Sequence, residues 1–403
     1  MAHSAFGMGR PLAGVRVLDL TRLLPGPFAT LLLGDMGADV IKVEATAGGD
    51  YARYGQPVVG EYGAFFASIN RNKRSVALDL KNPGGAAALR ALLGGADVLI
   101  ESFRPGVMER LGFGPDALAE AFPDLIVCSI SGYGQTGPAR KEAGHDNGYL
   151  ARAGVLDGIG TAGGTRVLAG IQVADIAGGA MYAATAVCAA LFGRERSTAA
   201  RRGCWIDVSM TDGALSFLLP ALTMIAHGHS YGGPAGEMLN GGIPCYAIYE
   251  TKDGKHMALG ALEPKFWFAF CAAAGVEDLA SDAYATGEDG ARINARLAEL
   301  FMTRTRDEWT ALLEPADCCC VPVKSPEEVI DDPLFQERGL FFEIESAAGP
   351  IFQTATPLTP ANRDGFTAPP LLGEHTRALL LEAGLETGVI DELFASGGAA
   401  APK

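Results

Sequence analysis

Apolar and polar positions follow a regular pattern along the first half of the chain. Residues 15–20 and 39–44 are short apolar runs rich in β-branched side chains, which predict strands, and residues 28–36 between them have apolar positions at helical spacing. A strand, a helix and a strand joined by short turns predict a βαβ unit with parallel strands. The pattern recurs, and it predicts further strands at residues 75–80, 97–100, 125–130 and 203–209 and a helix at residues 83–93.

The pattern changes after residue 226. Residues 227–242 are rich in glycine, proline and polar side chains, as is typical of a domain boundary. Beyond them a predicted hairpin turns at Asp253-Gly254, and helices follow before residue 313. We therefore predict an α/β fold, in which a large Rossmann-like domain with a parallel sheet accompanies a smaller α+β domain. The predicted bounds are residues 1–226, completed by the C-terminal segment 335–403, for the large domain, residues 227–242 for a linker and residues 243–334 for the small domain.

The two ends of the chain are expected to be loose. Residues 1–11 form a leader without a clear apolar pattern, and the tail from residue 396 is of low complexity.

Composition narrows the class of protein. The chain has 403 residues, of which 48% are hydrophobic and 20% charged, which suits a compact enzyme and excludes a disordered protein. A net charge of -15 argues against nucleic acid as a partner. The apolar stretch 214–226 is interrupted by Pro220 and is shorter than the roughly 20 residues of a membrane span, so we expect no membrane partner. No signal segment is recognisable, and the expected location is cytoplasmic.

The eight cysteines show neither CxxC spacing nor a companion histidine motif. We therefore expect reduced thiols and no metal site. Three of them are consecutive, Cys318 to Cys320, and we interpret these as small buried hydrophobic residues.

Two loops carry the main candidates for chemistry. His145 lies in a polar, glycine-flanked segment, and Asp175 directly precedes a run of small residues that predicts a tightly packed helix. An imidazole and a carboxylate are the two bases that moving a proton across a carbon centre requires. A loop histidine is more often solvated, and an aspartate before a helix is usually an N-cap, so these residues alone leave both interpretations open.

Cations are concentrated near two predicted strands. Arg71, Lys73 and Arg74 fall within four residues just before the strand at 75–80, where they indicate either a phosphate site or a solvated loop. Arg104 follows the strand at 97–100, at the edge of an open α/β sheet where ligands usually bind. The first βα turn lacks a GxGxxG sequence, so a nicotinamide cofactor is not indicated.

Several segments together resemble one protein family. They are residues 11–20, 37–44, 70–80, 103–106 and 131–138, and in this order they are similar to the family III CoA-transferases (CaiB/BaiF), a superfamily that includes α-methylacyl-CoA racemases. The resemblance implies an acyl-CoA substrate, of which coenzyme A is a part, and no separate cofactor. It also implies an interlocked homodimer, with the site between the large domain of one subunit and the small domain of its partner. The candidates for binding the phosphates of coenzyme A are then Lys42, Arg71, Lys73, Arg74 and Arg104.

Within this superfamily the branch depends on few residues. The sequence Ala143-Gly144-His145-Asp146, followed by Tyr149, resembles the racemase branch, whose histidine in this loop is a catalytic base. Asp175 matches the essential aspartate of both branches, a second base in racemases and a nucleophile in transferases. Glu263, in the segment 260–264, resembles the racemase glutamate that orients the histidine. Asn147-Gly148 and Ile171 depart from the racemase pattern, which affects the expected acyl group more than the expected chemistry.

The resemblance predicts a racemase or epimerase of 2-methylacyl-CoA thioesters, which acts by 1,1-proton transfer through an enolate. It assigns His145 to the S face of the α-carbon, Asp175 to the R face and Glu263 to the orientation of His145. Backbone N–H groups near residues 176–178 are expected to stabilise the enolate oxygen. The alternative is a CoA-transferase in which Asp175 attacks the acyl-CoA and forms an anhydride. A binding protein that keeps the fold without catalysis is a further alternative.

Overall fold

The computed structural model describes residues 9–200 and 202–402, in which strands and helices alternate as the sequence predicts. The strands are β1 Arg16–Leu20, β2 Asp39–Glu44, β3 Val58–Val59, β4 Tyr62–Gly63, β5 Lys73–Leu78, β6 Val98–Glu101, β7 Ile126–Ser131, β8 Cys204–Ser209, β9 Tyr246–Glu250, β10 His256–Gly260, β11 Cys320–Pro322, β12 Phe341–Ser346, β13 Gly349–Thr354 and β14 Ala399–Ala400. The helices are α1 Pro25–Asp35, α2 Ala64–Ile69, α3 Pro83–Leu93, α4 Val107–Arg110, α5 Pro115–Ala121, α6 Asp146–Arg152, α7 Tyr182–Arg196, α8 Met210–Ser216, α9 Leu219–Ala226, α10 Pro264–Ala274, α11 Gly287–Phe301, α12 Arg306–Leu313, α13 Pro326–Ile330, α14 Pro333–Glu337, α15 Thr376–Glu382 and α16 Thr387–Ala395. Most of the expected leader, residues 1–8, lies outside the described residues.

Seven strands form one sheet in the order β14-β5-β2-β1-β6-β7-β8. Neighbouring strands are parallel except β14, which pairs antiparallel with β5. Without β14 this is the strand order of a Rossmann fold, whose switch point lies between β1 and β6. The predicted α/β class with a parallel sheet is therefore confirmed.

Helices cover both faces of this sheet, which explains why its strands are apolar on both sides. On one face, Leu89 of α3 and Leu393 of α16 join Leu18 and Leu99 of the sheet in one buried cluster. On the other face, α1 packs against α7, and α7 packs against β7 and β8. Buried side chains thus pack against both faces of the sheet at β1 and β6.

The helix that carries Asp175 begins as a π-helix, Ala174–Met181, and continues directly as α7. The combined stretch is long and apolar enough to cross a membrane by length and composition alone, a property that was not predicted from the sequence. Gly178 in it and Gly213 of α8 approach so closely that neither position has room for a Cβ atom. It packs against α1, α8 and the sheet, so we interpret one of its faces as part of the core, as its small residues predict.

The chain divides into two compact units, residues 1–150, 172–216 and 333–403 in the first and residues 151–171 and 217–332 in the second. The second unit contains the three-stranded antiparallel sheet β11-β10-β9. Its core includes Trp267, Phe301 and Trp309, and α11 contributes the regularly spaced Ile293 and Leu297. The segment expected to be a linker, residues 227–242, and residues 151–171 both group with this unit, because Pro234 and Tyr231 pack against the loop at Gly158 and Gly160.

Two local predictions have opposite outcomes. The hairpin around Asp253-Gly254 is confirmed by the antiparallel pair β9 and β10. The prediction of a loose tail is wrong, because Ala399 and Ala400 add a strand to the edge of the large sheet and pair with Leu78 and Ala77. Thr376 fixes this strand further by donating to the Ala400 carbonyl at 2.8 Å. Low-complexity composition gives no sign of this strand because the pairing uses backbone groups only.

Candidate active site

An open cavity with an empty volume of about 1000 Å³ lies at the carboxyl edge of the large sheet. Its walls are the loops that follow β1, β6 and β7, which meet at the switch point of the sheet as expected for a ligand site in an open α/β fold. His145 and Asp175, thirty positions apart in the chain, both line it. The structure therefore brings the two candidate bases into one cavity.

His145 lies at the start of α6 with its side chain exposed. Its carbonyl accepts the N–H groups of Gly148 and Tyr149 at 2.9 and 3.1 Å, which fixes the backbone of the loop. A Cβ at Gly144 would clash with the ring of Tyr149, so the glycine before His145 is needed for this close packing. Tyr149 in turn meets Tyr133 edge-to-face, with ring centroids 5.3 Å apart. The imidazole is thus free to meet a ligand while its backbone is held.

Asp175 lies in the first turn of the π-helix, a helix type often found at functional sites. Burial raises the pKa of its carboxyl, and the charge of Asp146 adds to this effect while His145 opposes it, so that the pKa is about 6. Burial and the Asp175 charge also raise the pKa of the Tyr149 hydroxyl to about 12. A carboxyl with a pKa near 6 exchanges its proton readily around neutral pH, as a general acid and base must.

Asp146 connects the two candidate bases. Its Oδ1 accepts the backbone N–H of Asp175 at 2.9 Å, while its own position is next to His145 in the chain. The carboxylate therefore caps the π-helix and fixes the distance between the histidine loop and the aspartate helix. Its negative charge also contributes to the raised pKa of Asp175.

The expected donors for an enolate oxygen are only partly available. The N–H of Ile176 donates to the carbonyl of Gln172 at 3.1 Å, and that of Asp175 is taken by Asp146. Residues 176–178 were predicted for this role, and for Ile176 the prediction is wrong because its N–H is already bonded to the Gln172 carbonyl.

Glu263 lies in the second unit, where it is the N-cap residue of α10 and is exposed. Its side chain makes no capping hydrogen bond there, so a purely structural capping role does not account for it. The carboxylate is available for another partner.

Three of the five cations proposed to bind phosphate are fully buried in ion pairs of the protein itself. Arg71 forms a bidentate pair with Asp35, with the shorter contact at 2.6 Å. Lys42 pairs with Asp50 at 3.0 Å and Lys73 with Asp19 at 3.3 Å. Burial lowers the pKa of Lys73 to about 7 despite the charge of Asp19. These side chains have no exposed surface for a ligand, so we assign them a structural role in place of phosphate binding.

Arg74 and Arg104 differ in where they lie on the sheet. Arg74 pairs with Asp39 at 2.7 Å and with Glu382 at 2.8 Å, at the amino ends of the strands and away from the cavity. Arg104 is exposed and lines the cavity, and its guanidinium makes no hydrogen bond or ion pair with any residue the structure describes. Glu101, whose pKa burial raises to about 7, holds the Arg104 loop by accepting the N–H of Phe103 at 2.8 Å. Of the five cations, Arg104 alone suits a ligand.

A second cavity lies beside the first, with an empty volume of about 780 Å³ and mostly apolar walls. The ends of β2 and β5 and the side chain of Phe103 form these walls. Arg22 and Phe103 line both cavities, so the two are neighbours. Arg22 was not among the predicted site residues because it is a lone cation in an apolar turn; the available signal was its position directly after the carboxyl end of β1.

Among residues 9–200 and 202–402, the structure places no group of three or more histidine, cysteine, aspartate and glutamate side chains that would hold a metal ion.

Comparison with known proteins gives consistent matches over nearly the whole chain. The family described as CoA-transferase family III matches residues 12–376. The α-methylacyl-CoA racemase of Homo sapiens is 36% identical over 388 residues, which cover 95% of this chain and 96% of the racemase. The succinyl-CoA:glutarate CoA-transferase of Mus musculus is 33% identical over 405 residues, which cover 96% of this chain and 90% of the transferase. Identity alone therefore does not separate racemase from transferase.

The fold agrees with solved structures of the same group. A CaiB/BaiF family protein from Brucella suis superimposes with a TM-score of 0.79 at 29% identity, covering 93% of this chain and all of that chain. The seven-stranded sheet and the small antiparallel sheets are thus those of this structural group.

Proposed function

The chain belongs to CoA-transferase family III and acts on acyl-CoA as a racemase or a transferase, and within this family we propose that it is a racemase of 2-methylacyl-CoA thioesters. The observation that carries the proposal is that His145 and Asp175 line one cavity, with the pKa of Asp175 raised to about 6. A transferase needs the aspartate alone, whereas a two-base racemase needs both side chains at one carbon centre.

The chemistry follows from the acidity of the α-proton. A thioester spreads the charge of its enolate onto oxygen, so a positioned base can remove this proton. With an S substrate, neutral His145 removes the proton from one face while protonated Asp175 delivers one to the other. With an R substrate, the two residues exchange roles. The product in each case is the opposite epimer and needs no net proton.

The raised pKa of Asp175 supports this role. A carboxyl with an ordinary pKa would be almost fully ionised at neutral pH and would seldom act as an acid. With a pKa of about 6 it is present in both forms, so that it can serve the reaction in both directions. Burial and Asp146 thus adjust the carboxyl to this task.

Coenzyme A is the larger part of the proposed substrate, and the two neighbouring cavities suit its two ends. The apolar second cavity suits the adenine, and the first, which contains His145 and Asp175, suits the thioester. Arg104 lines the first cavity, and its guanidinium has no partner among the residues that the structure describes, so we assign it to a phosphate oxygen.

We propose further that the active form is an interlocked homodimer. The helix α9 is apolar except for Thr223 and has no buried residue, and Leu219 is 63% and Leu222 41% exposed. Such a helix suits a covered interface more than a surface in water. In the dimer, Glu263 of the second unit would orient His145 of the other subunit through its free carboxylate.

A CoA-transferase remains the second candidate, because Asp175 is accessible in the cavity and transferases of the family are nearly as similar to the chain as racemases are. There, Asp175 would attack the thioester carbonyl and His145 would be dispensable.

The two candidates differ in what they do with one substrate. We expect purified protein to invert single-epimer 2-methylacyl-CoA and to introduce deuterium at the α-carbon in heavy water, without a free acid. Transfer of CoA to an added acid at a normal rate by the His145→Ala variant would instead identify a transferase. If the protein shows neither deuterium exchange nor CoA transfer, the result would indicate a binding protein.

A further inference from the structure

The turn Thr21–Leu24, between β1 and α1, forms the wall that the two cavities share. Arg22 lines both cavities, and its side chain is exposed. Its Nη1 donates to the hydroxyl of Tyr51 at 3.2 Å, and its guanidinium lies over the rings of Tyr51 and Phe103 at 5.1 and 5.7 Å. No carboxylate described in the structure pairs with it. The guanidinium is held in place by neutral and aromatic groups, so its charge is free for an anion.

A buried ion pair holds this turn on both sides of Arg22. Lys42 donates to the carbonyl of Thr21 at 2.9 Å. Asp50 accepts the N–H of Leu23 at 3.1 and 3.2 Å on its two oxygens. Leu23 has a φ of 64°, a left-handed conformation that a leucine adopts only when its surroundings enforce it. Lys42 and Asp50 therefore fix the backbone both before and after Arg22.

Lys42 and Asp50 are bound to each other at 3.0 Å with no exposed side-chain surface, so neither meets a ligand directly. Asp50 also accepts the N–H of Ala52 at 3.0 Å, which begins the short helical turn that carries Tyr51. One carboxylate thus positions both Arg22 and the tyrosine that Arg22 rests on.

From this geometry we infer that Arg22 binds the diphosphate of coenzyme A at the junction of the two cavities, and that Lys42 and Asp50 act as positioning residues for it. The inference rests on the proposed acyl-CoA substrate and deepens it. The diphosphate joins the adenosine of coenzyme A to its pantetheine arm, so a ligand that fills both cavities passes this junction with its doubly anionic part. An arginine can bind two phosphate oxygens at once.

The test is the binding of coenzyme A and dephospho-coenzyme A, measured by calorimetry on the full chain. We expect Arg22→Gln to raise the Kd of both ligands by roughly 10- to 100-fold, the range for a lost charge-assisted contact. Arg22→Lys should recover part of the loss. Arg110→Gln removes another exposed guanidinium, one that lines neither cavity, and it should leave the Kd unchanged.

A double-mutant cycle tests the positioning role. Lys42→Met/Asp50→Asn removes both charges together and should raise the Kd about as much as Arg22→Gln. Adding Arg22→Gln to it should then cost less than about twofold, because the same contact has already been lost. If circular dichroism shows that this variant does not fold, Asp50→Asn alone, which keeps the size of the side chain, should give a smaller loss in the same direction.

The outcomes separate this inference from the function on which it rests. Absence of coenzyme A binding in the unaltered protein would overturn the proposed function itself. Normal binding by Arg22→Gln, or additive losses in the cycle, would overturn the inference while leaving the function intact. A loss seen with coenzyme A and absent with dephospho-coenzyme A would place Arg22 at the 3′-phosphate and overturn the assignment to the diphosphate.

Discussion

The two edges of the large sheet differ in whether they leave charged groups available for a ligand. At the amino edge Arg74 and Arg16 both pair with Asp39, and Arg71 is buried against Asp35. At the carboxyl edge Arg104 has no described ion-pair partner and the pKa of Asp175 is raised. Charges that the protein itself neutralises stabilise the fold, whereas charges left without partners are available to a ligand.

The largest expected effect comes from removing Asp175, the carboxylate base at the carboxyl edge of the sheet. Asp175→Asn keeps the shape of the side chain and removes its ability to accept a proton. We expect the rate of epimer inversion to fall by roughly 10²- to 10⁴-fold, the range for a lost general base. Inversion followed by chiral chromatography of the hydrolysed acid measures this, with Asp157→Asn on the surface of the second unit as the control. A variant with more than about half of the normal rate would remove Asp175 from the mechanism.

A substitution at the amino edge should affect stability instead of chemistry. Arg71→Met leaves Asp35 buried without its partner, so the free energy of unfolding should fall by about 3–5 kcal/mol. Urea unfolding followed by circular dichroism measures this loss, and kcat of the folded protein should stay near normal. Replacing Asp35 as well, in Arg71→Met/Asp35→Leu, should restore part of the stability. A stable Arg71→Met protein with a much weaker affinity for coenzyme A would show that the two edges do not differ as described.

The raised pKa of Asp175 also has a cost in stability. Its folded-state pKa of about 6 lies above the ordinary value of 3.8, so the folded protein binds more protons between these values. Stability therefore falls as pH rises through this window, and the penalty is fully present above about pH 6. Asp175→Asn should then be more stable than the unaltered protein by about 1–3 kcal/mol at pH 8, and by much less at pH 4. If Asp175→Asn and the unaltered protein were equally stable at pH 8, burial would not destabilise the ionised carboxyl of Asp175 as described.

The smallest expected effect concerns Asp146. Asp146→Asn keeps an oxygen for the Asp175 N–H and removes the negative charge, so the pKa of Asp175 should fall. For an R substrate, where ionised Asp175 is the base, kcat/KM decreases as pH drops through about 6. We expect this decrease to move to lower pH by less than about one unit in the variant. Asp157→Asn serves again as the charge control, and a shift to higher pH would be inconsistent with the assigned electrostatics.

Much of the fold could be predicted because local apolar patterns indicate its strands and helices. The strand at residues 39–44 and the helix at residues 83–93 were predicted with the bounds that the structure has. The edge strand Ala399–Ala400 could not be predicted, since it is held by backbone pairing and by Thr376, twenty-four positions earlier in the chain.

The candidate site was predictable in part for the same reason. His145 and Asp175 follow recognisable segments, and the structure brings them to one cavity. The cluster from Arg71 to Arg74 was misjudged because it lies at the start of β5, and the start of a parallel strand lies at the amino edge of the sheet, away from the site. That signal was present in the predicted strand positions and the predicted parallel sheet. The pairing of Lys42 with Asp50 was not visible, because only folding brings the two side chains together.

The most direct measurement separates the two faces of the α-carbon. In heavy water, His145→Gln should still exchange the α-proton of R substrates through Asp175 and fail with S substrates, while Asp175→Asn should do the reverse. Neither variant should invert either epimer at an appreciable rate. Deuterium incorporation by mass spectrometry on each single epimer gives the answer. Opposite selectivities would support one base on each face, whereas exchange of both epimers by the His145→Gln variant would contradict the two-base mechanism.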